Sequence, residues 1–147
     1  KKGQFLAPRD MRHALAKVTG AGNPRVFVTE RGTSFGYNNL VVDMRAFPVL
    51  AELGSPVVFD VTHSLQLPGG GDGVTAGLAQ YITPLASAGV AAGVDGVFLE
   101  IHDDPPRARS DAQNALRLDA LDALLERLMR LDAIAKAPSA VPAAGGL

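Results

Sequence analysis

The sequence predicts an α/β chain built on parallel strands, about four βα units of the kind that close into a (β/α)8 TIM barrel. Three observations predict it. Apolar, β-branched runs alternate with helix-like segments, the pattern of a parallel sheet covered by helices. The clearest strands start at Arg25, Pro56 and Gly96, 31 and 40 residues apart, against roughly 31 per unit in a barrel of about 250 residues. Each of these strands ends in polar or charged residues, as strands do where their C-terminal ends line a site. A Rossmann-like sheet is the alternative architecture, but no G-x-G-x-x-G follows a strand.

The elements follow in order. Lys1 to Phe5 reads as the end of a strand. Asp10 to Val18 reads as a helix, with Asp10 as its N-cap and Gly20 and Gly22 as its stop. Arg25 to Thr29 is β-branched and aromatic, hence a strand. Leu40 to Leu53 reads as partly helical, with Pro48 inside it. Pro56 to Thr62 is the second clear strand, and Pro68 to Gly77 a glycine-rich loop. Pro84 to Ala92 suits a short helix with Pro84 in its first turn. Gly96 to Ile101 is the third clear strand. Leu118 to Ala135 is the strongest helix, with Leu118, Leu121, Leu125, Leu128 and Leu131 as one apolar stripe. Asp119, Asp122, Glu126 and Arg130 take its other faces. Ala137 to Leu147 holds two Pro and two Gly and reads as a flexible tail. The domain expectation is residues 1-136 as half of a barrel and 137-147 as tail.

Composition narrows the function classes. With 47% hydrophobic and 20% charged residues over 147 positions, the chain has the make-up of a globular domain with a core. Fourteen Lys+Arg against fifteen Asp+Glu give a net charge of -1, which argues against a nucleic-acid partner. No apolar run approaches the roughly 18 residues of a membrane span, so no membrane partner is expected. The chain has no Cys, so it supplies no disulfide, thiolate metal ligand or thiol nucleophile. Residue 1 is Lys, and the expectation is that the chain starts inside a longer product or was processed.

The strand ends carry the chemistry. The first leads through Lys1 to Gln4, the second into Glu30 and Arg31, the third into Asp60 and His63, the fourth into Glu100 and His102. Arg31 and a Lys from the neighbouring strand suit one anion, because a guanidinium fork binds phosphate or carboxylate bidentately. His63 and Glu100 offer nitrogen and oxygen to a divalent metal, and Asp111 offers a third ligand. Structural readings compete. His63 alone suits a hydrogen-bonded structural role, Glu30 and Arg31 a local ion pair of little worth, and Ser110 and Asp111 a helix cap. The Pro68 to Gly73 run is a lid or a plain loop, not a P-loop.

Longer strings go further. Lys1-Lys2-Gly3-Gln4-Phe5-Leu6-Ala7-Pro8, the run from Thr29 to Arg45 (Thr29-Glu30-Arg31-Gly32-Thr33-Ser34-Phe35-Gly36-Tyr37-Asn38-Asn39 at its head), Val58 to Gly70, and Gly96 to Glu100 with His102 and Ser110-Asp111 resemble, in order, the last four strand motifs of the 3-deoxy-D-manno-octulosonate 8-phosphate synthase family. The resemblance covers the chain up to its tail. It implies the C-terminal half of a TIM barrel, a homotetramer as the whole protein, and a cytoplasmic transferase of lipopolysaccharide biosynthesis. Its substrates are phosphoenolpyruvate and D-arabinose 5-phosphate, with release of phosphate. By the same resemblance Lys1 and Arg31 hold the phosphoenolpyruvate anion, and Gln4 is a further substrate contact. His63 lies beside that phosphate and is also a metal ligand, with Glu100 and Asp111 as the other two from this half. Lys1, His63 and Asp111 are the catalytic set, and Asp60 orients ligands from behind. The motifs are similar to the metal-dependent branch, which implies a divalent Fe, Zn or Mn.

Two departures stand out. Where the family carries Ser-Gly-Gly and an Arg two residues on, this chain has Thr75-Ala76-Gly77-Leu78-Ala79, and the Pro after the eighth-strand His is Asp103. Two other outcomes stay open: a half-barrel that only binds an anion or partner, and a related 3-deoxy-heptulosonate phosphate synthase using erythrose 4-phosphate. Residues 1-147 alone are expected to show no turnover.

Overall fold

The computed structural model describes residues 1–70 and 76–138. Most of the expected tail, and the centre of the glycine-rich loop including Thr75, lie outside the described residues.

The chain opens differently from expectation. Residues 1 to 5 do not form a strand. Lys2 makes one ladder-like bond, its N–H to the Thr29 carbonyl at 2.8 Å, and the backbone then turns, Leu6 N–H to the Gly3 carbonyl at 3.3 Å. A 3-10 turn, Pro8–Asp10, with Pro8 at its first position, leads into α1 (Met11–Gly20). Asp10 is not the expected cap. Its backbone is already helical, at φ -72 and ψ -16, and its side chain bonds no N–H of the helix. The helix runs to Gly20, and Gly22 at φ 92 supplies the left-handed residue that ends it.

β1 (Val28–Glu30) starts three residues later than Arg25, because Pro24 holds a tight turn with Val26 N–H at 3.1 Å. The segment after it forms a small hairpin, β2 (Thr33–Ser34) with β3 (Leu40–Val41). α2 (Ala46–Ala51) then carries Pro48 at its third position. Proline is tolerated there because the first four N–H groups of a helix lack intrahelical partners anyway. β4 (Val57–Asp60) stops two residues short of expectation, since Thr62 already belongs to the single turn α3 (Val61–Ser64). β5 (Gln66–Leu67) pairs antiparallel with β6 (Ala76–Gly77). α4 (Ile82–Ala91) includes Pro84 in its first turn. The last expected strand is split into β7 (Gly96–Phe98) and β8 (Ile101–His102), with Glu100 in the break, and β8 pairs with β9 (Leu116–Arg117). α5 (Leu121–Ala135) follows a 3-10 turn at Leu118–Ala120.

β1, β4 and β7 form one parallel sheet in that order, Glu30 beside Phe59 and Asp60 beside Phe98. This parallel, helix-covered arrangement is the architecture of a partial TIM barrel. Alternation along each strand sorts the side chains. Val28, Val57 and Phe59 point to the helical layer and are buried with Phe47, Leu50, Ile82 and Ala86. Val58, Asp60 and Phe98 point to the opposite face, where Phe98 remains 44% exposed. The expected leucine stripe is re-phased. Leu124 and Leu128 are buried, with Leu121 and Leu131 against them, while Leu118 and Leu125 are exposed. α5 packs on α4, tied by Arg127 Nε donating to Ser87 Oγ at 2.8 Å.

Candidate active site

Strand alternation decides which of the two opening lysines reaches the site. Lys2 points behind the sheet. Its Nζ is fully buried, 3.4 Å from Glu30 Oε1, and donates to the Gly32 carbonyl at 3.2 Å and Thr33 Oγ1 at 3.2 Å. Glu30 also accepts the Arg31 and Gly32 N–H groups, at 3.1 and 2.6 Å. Glu30 is therefore the partner of Lys2 in a structural pair, and the local Glu30–Arg31 ion pair is not made through the guanidinium. Lys1 lies on the other face. Its ammonium contacts Asp60 Oδ2 and sits over the Phe98 ring, 5.8 Å from the centroid.

Asp60 ends β4 and is 1% exposed. Its Oδ1 accepts the His63 backbone N–H at 2.9 Å, capping α3, and its Oδ2 meets His63 Nδ1 at 2.8 Å. A carboxylate only accepts, so this contact places the ring proton on Nδ1 and leaves the Nε2 lone pair outward. The ring stacks on Phe98 with centroids 5.8 Å apart. Nε2 faces Glu100 Oε1 at 3.4 Å. Glu100 is set in the break between β7 and β8, where its N–H donates to Thr62 Oγ1 at 2.8 Å and its carbonyl accepts from Leu116 N–H at 2.9 Å.

Asp111 completes the group. One ligand atom from each of His63, Glu100 and Asp111 lies within 4.8 Å of the others. Asp111 begins no helix, so the cap reading is not borne out. Its backbone is left-handed at φ 50, and its carbonyl accepts from Asn114 and Ala115 N–H at 2.8 and 3.0 Å. Such conformations are uncommon outside glycine, although Asp tolerates them better than most. The donor set suits a hard or borderline divalent cation. With the ring in its neutral Nδ1–H form, the Nε2 lone pair faces a carboxylate oxygen, a contact that a cation makes favourable. The residues present thus fit the metal that the motifs imply.

Arg31 stands next to this group. Its Nη2 donates to the His63 carbonyl at 2.9 Å and to Gln66 Oε1 at 2.8 Å. Its Nε is buried with no hydrogen-bond partner among the described residues. Such a donor is costly unless something accepts from it. Gln4 is not brought in by any of these contacts. Its carbonyl accepts from Ser34 N–H at 3.0 Å and its side-chain oxygen meets Ser34 Oγ at 3.4 Å. His102 is also apart from the metal group, with Nδ1 accepting from Asp104 N–H at 2.9 Å. Sequence reasoning gave no role to Gln66, Phe98 or Thr62. Gln66 was marked only as part of the Gln66-Leu67-Pro68-Gly69-Gly70 string that resembles the metal-dependent branch, and Thr62 and Phe98 only as members of the third- and fourth-strand runs.

A carboxylate-oriented imidazole, two further carboxylates and an arginine gather at the C-terminal ends of parallel strands, and the class this defines is an α/β chain of partial-barrel architecture with a donor set that could hold a metal ion. The chain belongs to the DAHP synthetase I family, whose profile matches residues 1–137. It is 58% identical over 137 residues to the 2-dehydro-3-deoxyphosphooctonate aldolase of Brucella ovis, covering 93% of this chain and 50% of that protein. The protein of the same name from Chelativorans sp. is 58% identical over 136 residues, covering 92% of this chain and 49% of that one. The chain therefore spans about half the length of the curated relatives it matches, in keeping with half of a barrel.

Proposed function

We propose that the protein containing this chain condenses phosphoenolpyruvate with D-arabinose 5-phosphate to give 3-deoxy-D-manno-octulosonate 8-phosphate and phosphate. The observation that carries the reading is the convergence of His63, Glu100 and Asp111 within 4.8 Å beside Arg31. The names of the close relatives support it, as does the resemblance of the motifs.

In this reaction the methylene carbon of the enol bonds to the sugar aldehyde, water adds at the enol carbon bearing the phosphate ester, and phosphate leaves from that carbon. Arg31 Nε, which has no hydrogen-bond partner among the described residues, donates with the outer edge of the guanidinium to the phosphoenolpyruvate anion, and Lys1 supplies the second positive charge. Charge fixed in place in this way lowers the barrier chiefly by positioning. His63, Glu100 and Asp111 hold a divalent Fe, Zn or Mn. A bound metal of this kind orients and polarises water and the aldehyde oxygen. Asp60 keeps the His63 ring in register with the phosphate and the metal ligands.

The second arm of the site, for the sugar phosphate, draws on groups from the remainder of the barrel, since Ala79 cannot take the place of the family's Arg. The whole protein acts as a homotetramer in the cytoplasm and serves lipopolysaccharide biosynthesis. Among the described residues no helix is long and apolar enough to cross a membrane. The test is product formation by the complete gene product offered each phosphosugar with phosphoenolpyruvate. Octulosonate phosphate from arabinose 5-phosphate supports the reading. Product from erythrose 4-phosphate alone identifies the heptulosonate synthase instead, and no product from either identifies a binding module.

A further inference from the structure

We propose that Gln66 is a positioning residue whose single amide locks the anion-holding Arg31 to the metal-holding Asp111. The inference rests on the metal and anion site described under the proposed function. Gln66 Oε1 accepts from Arg31 Nη2 at 2.8 Å, and Gln66 Nε2 donates to Asp111 Oδ1 at 2.8 Å. The orientation of the amide is not a free choice. Guanidinium only donates and carboxylate only accepts, so the oxygen must face Arg31 and the nitrogen Asp111. Rotating the amide by half a turn breaks both bonds at once.

The two bonds have separate consequences. Toward Arg31, Gln66 and the His63 carbonyl both take Nη2, which leaves Nε and the far edge of the guanidinium for the ligand. Toward Asp111, the amide occupies Oδ1 and leaves Oδ2 unengaged by it. That bond holds the carboxylate of a residue whose backbone sits at φ 50, where a side chain otherwise has little local support. Asp60 does the equivalent for the His63 ring, while Thr62 Oγ1 fixes Glu100 only through its backbone N–H. Of the side chains that hold a ligand side chain in this way, Gln66 is the one that also reaches Arg31 on the anion side. Partners of this kind are typically worth about 10- to 100-fold in metal affinity.

The test compares the complete gene product with its Gln66→Met variant, which keeps the length and loses both hydrogen bonds. Mn2+ binding is read by electron paramagnetic resonance of the free ion, and anion binding by calorimetry with phosphoenolpyruvate. The Met variant is expected to weaken Mn2+ by about 10- to 100-fold and phosphoenolpyruvate by roughly threefold to tenfold, with unchanged stoichiometry. Gln80→Met, an exposed glutamine elsewhere, keeps both constants within twofold. A purely structural role for Gln66 would lower the folded fraction, and so the stoichiometry, while leaving both constants in place, and that result overturns the proposal. Should the Met variant fail to fold, Gln66→Asn is measured, since its amide is one methylene too short to reach both partners; unchanged constants there also overturn it. Wild-type protein that binds Mn2+ but forms no octulosonate phosphate refutes the proposed reaction and leaves the role of Gln66 to be decided by these titrations. Wild-type protein with no saturable Mn2+ site overturns the inference.

Discussion

Asp60 is the residue on which most of the site turns. One buried carboxylate receives Lys1, caps α3 and fixes the tautomer of His63. Asp60→Asn keeps the shape but lets an amide N–H face Nδ1, which moves the ring proton to Nε2 and hides the lone pair. Metal affinity is expected to fall about 10- to 100-fold, measured by competition with a chromophoric chelator. Lys2 makes the contrasting case. Its ammonium and the Glu30 carboxylate are both buried behind the sheet, and Glu30 Oε2 has no further partner among the described residues. Lys2→Met strands that carboxylate and is expected to cost about 3–5 kcal/mol in urea unfolding, with metal affinity of the folded protein unchanged. The gathering of His63, Glu100, Asp111 and Arg31 was legible because strand ends meet along one rim in α/β sheets. Gln66 was not, because its partners lie 35 and 45 residues away. The contact of Gln4 with Ser34 was not legible for the same reason, its partner lying 30 residues away.

At the scale of elements, packing corrects what pattern alone suggests. The one leucine stripe expected near the C-terminus is not the buried row: the tighter winding of the 3-10 turn Leu118–Ala120 takes Leu118 out of phase. Within α5, Leu124 takes the inner place expected of Leu125, so Leu121, Leu124, Leu128 and Leu131 form the inner row. The break after β7 was equally hidden. A strand running on through Glu100 would satisfy its N–H by a backbone carbonyl. Here Thr62 Oγ1 accepts it, and the carboxylate is swung toward His63. α4 approaches the sheet closely at Gly89, over Phe59 of β4. A Cβ added at Gly89 would overlap the Phe59 ring, and Phe59 is fully buried with an edge-on Phe47 at 4.9 Å. Gly89→Ala improves helix propensity by about 1 kcal/mol, but overpacking of this kind costs about 1–3 kcal/mol. The variant is expected to melt below wild type by differential scanning calorimetry, and a higher melting temperature would show that α4 shifts freely.

For the whole molecule, the two faces of the sheet tell the same story as the comparisons. The face toward α1, α2 and α4 is closed and apolar apart from the buried Lys2–Glu30 pair. The face carrying Asp60, His63 and Phe98 is polar at its rim and partly open, as expected of a barrel interior bounded here on one side. Parallel order, helical cover and the position of the site followed from alternation of elements and from where polar residues ended each strand. Exact strand limits did not, because prolines and side-chain hydrogen bonds at Pro24, Asp60 and Thr62 trim them by a few residues. The central claim is that three ligands and one arginine form a single metal and anion site. It is tested most directly by titrating the metal-stripped complete gene product with Co2+ and following the visible spectrum. One Co2+ per chain, bands that shift on adding phosphoenolpyruvate, and loss of those bands in His63→Ala are predicted. A spectrum of free aqueous Co2+ in the wild type, or bands that persist unchanged in His63→Ala, would contradict the account.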